Sequence, residues 1–297
     1  MNALYSAYGM SKQNVHKRLA VYGYRKEEEA ALLFMVEKIR KNHPRIAARV
    51  MYRMIQPQTM GRDKFERLCM ENGFGVKRQK NPRVTTNSKG VTRFPNLIRD
   101  IEVTAVNQVF VSDITYYELN GRFHYLTHIM DLYNREIVGS SESENLQAEN
   151  TTIPALRQLA RSRGEQNIRG SIIHSDGGGQ YYSKGFKELT GELGLRNSMT
   201  EEKVFENSHA ERLNGTIKND YLYPYNPKDR ASLKKAHKKA IWMYNNEKPH
   251  YSLNGLTPVR YRNQNVVDNE NIFSRYFPLP TTNHHHHQRD LEKDKLN

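Results

Sequence analysis

Apolar positions in the N-terminal region recur with helical spacing. The segment EEEAALLFMVEKIRK, Glu27 to Lys41, opens with acids and closes with Lys38, Arg40 and Lys41, the charge order a helix dipole favours, so a helix is expected there. Another is expected around SKQNVHKRL. Ile46, Val50 and Met54 stand at i, i+4 and i+8 and stop before Pro57; Phe65, Leu68 and Cys69 resume the pattern after Gly61. Helix, short turn, helix is the pattern of a helix-turn-helix module whose second helix, with Arg62, Lys64 and Arg67, enters a DNA major groove. A small helical bundle that packs and touches nothing fits the same pattern.

After Asp100 the period changes to that of strands. VFVSDITYY (109–117) is β-branched and aromatic, Asn120-Gly121 is a type I′ turn signal, and FHYLTHIMD (123–131) follows as the hairpin partner. REIVGSS supplies a third strand. A helical stretch through Ala155, Leu156 and Leu159, the apolar strand SIIHSD, a helix around Phe186 and Leu189, and a long helix from about Phe205 to Leu222 complete an α/β order. Lys228 to Lys239 leads helically into Ile241, Trp242 and Tyr244, with six Lys or Arg against one Asp.

Charge sharpens this picture. The chain of 297 residues carries 46 Lys plus Arg against 32 Asp plus Glu, a formal net charge of +14, which favours a polyanionic partner. Between Gly73 and Arg99 stand Lys77, Arg78, Lys80, Arg83, Lys89, Arg93 and Arg99 with no acid, broken by Pro82, Gly90 and Pro95. A linker tracking phosphates is expected there. No apolar run approaches the roughly eighteen residues of a membrane helix, and MNALYSAYGMSKQ has no signal-peptide core, so a cytoplasmic protein is expected. The single cysteine, Cys69, excludes disulfide scaffolds and cysteine-based zinc sites, and its helical apolar setting suits a packing thiol.

Three carboxylates carry the candidate chemistry. Asp113 interrupts an apolar strand, where a buried charge requires compensation. Asp176 follows the strand SIIHS and precedes Gly177-Gly178-Gly179, at the carboxyl end of a strand where α/β proteins place sites. Glu211 lies in the helical FENSHAERLNGTIKNDYL; on a regular helix Asn207, Glu211, Asn214 and Lys218 fall within about 60° of one another, and Ala210, Leu213 and Ile217 form a separate apolar stripe. Oxygen ligands from three separated elements suit Mg²⁺ or Mn²⁺, and a pair of such ions serves phosphoryl transfer. Scattered surface or capping carboxylates are the competing reading of the acids taken alone.

The strings VSDITYY, YLTHIMDLYNREIVG, HSDGGGQYYS, ENSHAERLNGTIKNDYL and YNNEKPHYSLNGLTPVRY, with acids 63 and 35 residues apart, resemble the integrase core of insertion-sequence transposases, specifically the second-frame (OrfB) product of the IS-three family. HPRIAARVMYRM and MGRDKFERLCMENGF resemble the helix-turn-helix segment that precedes that core. The resemblance implies an RNase H-like fold with a mixed five-stranded sheet. It implies Asp113, Asp176 and Glu211 as the catalytic, metal-holding triad with two ions, and Lys218 and Asn214 at the DNA end. It implies double-stranded DNA as partner, at terminal inverted repeats and at a target, a homo-oligomer on that DNA, and a nucleoid-associated enzyme that cuts at element ends and joins the exposed 3′-OH to another phosphodiester. The organisation expected is 1–75 helical and DNA-binding, 76–99 basic linker, 100–264 catalytic core and 265–297 polar tail, the last including His284 to His287.

The family commonly fuses this product to a leucine-zipper first-frame (OrfA) segment, so a longer active form or an OrfA partner is expected. A nuclease without strand transfer and a DNA-binding regulator with a degenerate core are the alternatives. Among further residues, Asp131 reads as a strand-end turn residue, Glu206 points about 140° from Glu211 on a regular helix, His174 either orients Asp176 or is a satisfied core histidine, and Gly215 suggests close approach by a backbone or DNA.

Overall fold

The Asn120-Gly121 turn folds as its residues require. In the computed structural model, which describes residues 9–76, 94–200 and 207–263, both take positive φ, 52° and 75°, and join β1 (Val109–Leu119) to β2 (Arg122–Asp131) as an antiparallel hairpin. β3 (Ile137–Ser143) pairs antiparallel with β2, while β4 (Ile172–Ser175) and β5 (Arg196–Met199) run parallel to β1, giving the order β3-β2-β1-β4-β5. This mixed five-stranded sheet is the RNase H-like arrangement. Periodicity accounts for four of the strands; β5, with the polar sequence RNSM, exists through its pairing with β4.

Among the described residues, three helices precede the sheet. The two helices expected between Ser11 and Lys41 are one, α1 (Lys12–Asn42), because no proline interrupts the run and Gly23 costs only about 1 kcal/mol in a helix. Its packing is local to the C-terminal half, through Leu32, Val36 and Ile39, and Leu19, Tyr22 and Tyr24 are exposed. α2 (Ala48–Ile55) and α3 (Arg62–Glu71) follow, with Phe65, Leu68 and Cys69 turned inward. Burial pushes the Cys69 thiol up to about 11, which suits packing rather than nucleophilic chemistry.

Alternation along β1 feeds two layers. Phe110 joins Ile129, Val138 and Ile173 under α4 (Thr152–Arg163), α5 (Glu165–Ile168) and α6 (Lys184–Glu192). Val111 and Tyr117 join Leu126 and Met130 under α7 (Ser208–Thr216), α8 (Tyr223–Tyr225) and α9 (Arg230–Asn246); α10 (Pro258–Arg262) ends the described chain. The long helix expected to Leu222 changes character: Ile217–Leu222 is a π-helical turn, so a regular 100° per residue does not carry past Thr216. That turn and α8 also meet the end of α1, where His43 Nδ1 lies 3.0 Å from the Tyr221 hydroxyl and the Tyr225 hydroxyl donates to the Asn42 carbonyl at 2.8 Å.

The tail from 265 with His284 to His287, the linker residues Lys77, Arg78, Lys80, Arg83, Lys89 and Arg93, and Phe205 and Glu206 lie outside the described residues.

Candidate active site

Strand register makes neighbours of the two aspartates. The parallel ladder between β1 and β4 ends at Ser112 opposite Ser175, so Asp113 and Asp176 are each the first residue beyond it, Asp113 midway along β1 and Asp176 just past the carboxyl end of β4. Asp113 Oδ2 accepts from the Asn214 amide at 2.8 Å, and its carboxylate also accepts from the Ile114 N–H. Asp176 Oδ1 accepts from the Gly178 N–H at 3.1 Å. A Cβ on Gly178 would stand 3.1 Å from that same oxygen, so the glycine is what allows the turn to close on the carboxylate. Beneath the turn the fully buried Tyr181 hydroxyl lies 2.8 Å from Ser112 Oγ.

The electrostatics of the three acids run in one direction. Burial, and after it the charge of Asp176, pushes Asp113 up to about 8, with Glu211 adding to the rise and the Asn214 and Ile114 donors opposing it. Burial raises Asp176 against its bond from Gly178, and burial with Asp176 raises Glu211. Among the described residues no Lys or Arg forms an ion pair with any of the three. The donor set is therefore hard, anionic and short of positive charge, which fits a divalent cation. As placed, no three His, Cys, Asp or Glu side chains among the described residues are gathered closely enough to hold a metal ion.

Lys218 approaches the cluster from the π-helical turn. Its Nζ donates to the Tyr116 carbonyl at 3.3 Å and sits 5.0 Å from the centre of the Tyr116 ring; burial lowers its pKa while the charge of Asp113 raises it. It reaches the strand at Tyr116 from the π-helical turn, not along a regular helical face. Asn214, expected at DNA, is instead buried, donating its amide hydrogen to Asp113 and holding its oxygen 2.6 Å from His128 Nδ1. Asn207 donates to the Ser112 carbonyl at 3.1 Å and pins the start of α7 to β1.

The remaining expectations divide. Asp131 accepts from the Asn107 and Tyr133 amides and lies 3.5 Å from Arg163, a structural role. His174 Nδ1 lies 2.9 Å from Ser198 Oγ on β5. A Cβ on Gly215 would meet only Asn219 Nδ2 at 3.9 Å, so no other backbone among the described residues approaches it. On α3, Arg62 pairs with Asp63 and Glu66 and Lys64 with Glu29; Arg67 lies on the same helix, and none of the three touches the carboxylates. Periodicity overlooked His128 and His237, buried on the side of Asn214 away from Asp113. His237 stands on the apolar stripe of Leu233, Ala240 and Tyr244, the one sequence signal that it faces inward.

The sheet order, with paired aspartates on β1 and just past the end of its neighbour β4, defines an RNase H-like core. One integrase core domain family matches residues 103–203 and a second matches 196–258. A transposase, InsK, for insertion sequence element IS150 of Escherichia coli (strain K12) is 32% identical over 58% of this chain and 61% of its own. The 31 kDa protein of insertion element IS600 from Shigella sonnei is 32% identical over 68% of this chain and 75% of its own. The HTLV-2 integrase catalytic core domain in complex with magnesium, in its trimeric form, aligns with 53% of this chain and 97% of its own at a TM-score of 0.44 and 23% identity. The chain belongs to the insertion-sequence transposases with an integrase core domain. It spans 61% of the IS150 protein's length.

Proposed function

We propose that this protein is a DNA transposase that cuts at the ends of an insertion sequence and joins the freed ends to a second phosphodiester. The observation that carries this reading is Asp113, half-buried midway along β1 beside Asp176 and within the field of Glu211, in a chain of net charge +14. The named activity of the IS150 relative supports it.

In this reading Asp113, Asp176 and Glu211 hold divalent metal, Mg²⁺ or Mn²⁺ and two ions, which when bound activates the attacking oxygen and stabilises the leaving one. The protein's own groups do the positioning. Asn214 and the Ile114 amide set the Asp113 carboxylate, and the Gly178 amide sets that of Asp176. Lys218, whose ammonium cannot ligate a cation, holds a phosphate beside the scissile bond. Residues 1–75, with Arg62, Lys64 and Arg67 on α3, recognise duplex DNA, the basic 76–99 tracks its backbone with Lys77, Arg78 and Lys80, and 100–264 performs the chemistry. Such an enzyme works at the nucleoid in the cytoplasm, as a homo-oligomer on DNA, alone or with a first-frame partner. Among the described residues no helix is long and apolar enough to cross a membrane.

The test is incubation of the full chain with labelled inverted-repeat DNA and Mg²⁺ or Mn²⁺. Joined strands are expected, and none in EDTA. Cleavage without joining makes the protein a nuclease, and binding without cleavage makes it a regulator; either overturns the proposal.

A further inference from the structure

Behind Asp113 lies a chain of buried polar groups that ends on two histidines. Asn214 Nδ2 is 2.8 Å from Asp113 Oδ2, His128 Nδ1 is 2.6 Å from Asn214 Oδ1, and His237 Nε2 is 2.7 Å from His128 Nε2. The rings cross at 68° with centres 5.0 Å apart. Asn214, His128 and His237 are 4%, 1% and 4% exposed, so water cannot substitute for a missing partner. Three separate elements contribute: β2 brings His128 opposite Asp113 in the ladder, α7 brings Asn214, and α9 brings His237.

The protons in this chain follow from its end. A carboxylate only accepts, so the Asn214 amide must turn its NH₂ toward Asp113 and its oxygen toward His128. That oxygen also only accepts, so His128 must carry its proton on Nδ1. His128 Nε2 is then bare, and His237 must donate from Nε2. Every donor points toward Asp113. Burial holds both rings neutral, lowering His128 to about 4 and His237 further.

The geometry points to His128 and His237 as positioning residues that act through Asn214 to fix the Asp113 carboxylate for metal binding. This rests on the reading of Asp113 as a metal ligand given above. Removing the Nδ1 donor frees the Asn214 amide to rotate, and a rotated amide turns its oxygen on Asp113, which repels the carboxylate from its bound orientation. Loss of a partner that orients a ligand weakens metal binding typically by tenfold or more.

Two measurements on the full chain test it without DNA. In metal-free protein labelled with ¹⁵N-histidine and held above pH 8, where Asp113 is ionised and only accepts, His128 is expected as the Nδ1-protonated and His237 as the Nε2-protonated tautomer; an Nε2-protonated His128 overturns the inference. In calorimetric titration with Mn²⁺, His128→Leu is expected to bind about tenfold more weakly than wild type, and His128→Leu in an Asn214→Ala background no more weakly than Asn214→Ala alone. Unchanged affinity in His128→Leu, or full additivity in the double variant, overturns it. Should thermal melting find His128→Leu unfolded, His237→Leu, one link further out, carries the same expectation of weaker Mn²⁺ binding and the same non-additivity. His128→Gln, whose amide can donate to Asn214, should recover part of the affinity. A wild type that binds no Mn²⁺ overturns this inference and the proposed function together, whereas one that binds Mn²⁺ and never joins DNA overturns the proposed function alone.

Discussion

Asp113, half-buried, and Asp131, fully buried, are aspartates on the two strands of one hairpin, three rungs of the same ladder apart, and their surroundings have opposite character. Asp131 is fully buried among donors. The Asn107 and Tyr133 amides bond it, and Arg163 lies between it and Glu136, with Arg262 closing on Glu136 from α10 at 2.9 Å. Asp113 has two donors, and its charged neighbours are Asp176 and Glu211. A buried carboxylate surrounded by fixed donors and guanidinium groups holds the fold together. One surrounded by other carboxylates leaves a deficit of positive charge that a bound cation can fill.

The largest effect should come from breaking the acidic side of that comparison. Asp113→Asn, Asp176→Asn and Glu211→Gln should each lower cleavage and joining by about a thousandfold or more and leave affinity for duplex DNA nearly unchanged, as read by gel assays of turnover and binding. Near-normal turnover in any one removes that residue from the site. On the other side, Arg163→Met leaves Asp131 and Glu136 buried without their shared cation, and urea unfolding should find it less stable by about 3 kcal/mol. Its cleavage rate well below the melting temperature should match wild type; equal stability would mean that Arg163 is dispensable.

A smaller change tests how tightly Asp176 is held. Gly178 has φ −65°, which alanine accepts, but the added Cβ meets Asp176 Oδ1 at 3.1 Å. Gly178→Ala should therefore melt slightly below wild type, since overpacking by one methyl costs about 1 kcal/mol or more, and cut about tenfold more slowly because the Asp176 carboxylate is displaced. Unchanged cutting would show that the turn yields.

The smallest effect concerns His250, which packs edge-on against Tyr244 at 4.7 Å. Burial, with Lys248 and then Arg135 adding to it, lowers its pKa from 6.5 to about 3 against the bond with Tyr244. Between those values the unfolded chain binds a proton that the folded one refuses, so stability is present above pH 6.5 and is lost as pH falls toward 3. Denaturation across that range should show a shallower slope for His250→Phe; an identical slope would assign the acid sensitivity to other groups.

How far the sequence could be read differs between these regions for a physical reason. Asp113, Asp176 and Glu211 are visible because each breaks a local pattern: an acid inside an apolar strand, an acid before three glycines, an acid on a helix with a separate apolar stripe. The Arg163 bridge to Asp131 and Glu136 breaks no such pattern, since its partners lie 32 and 27 residues away. His128 and His237, 109 residues apart, are ordinary residues of their own elements until α9 crosses the sheet.

The sequence by itself determined the hairpin, through two residues that accept positive φ, the apolar faces of the helices, the basic balance of the chain and the identity and order of the three acids. Only the tertiary structure decided that RNSM is a strand, that the β1–β4 ladder stops one residue short of both aspartates, that the helix after Glu211 loosens into a π turn under Lys218, and that Asn214 faces a histidine instead of solvent. Propensity and periodicity act within a turn of helix or a few rungs of strand. Register, burial and the pKa values that follow from them are set by groups distant in sequence that meet only when the layers close.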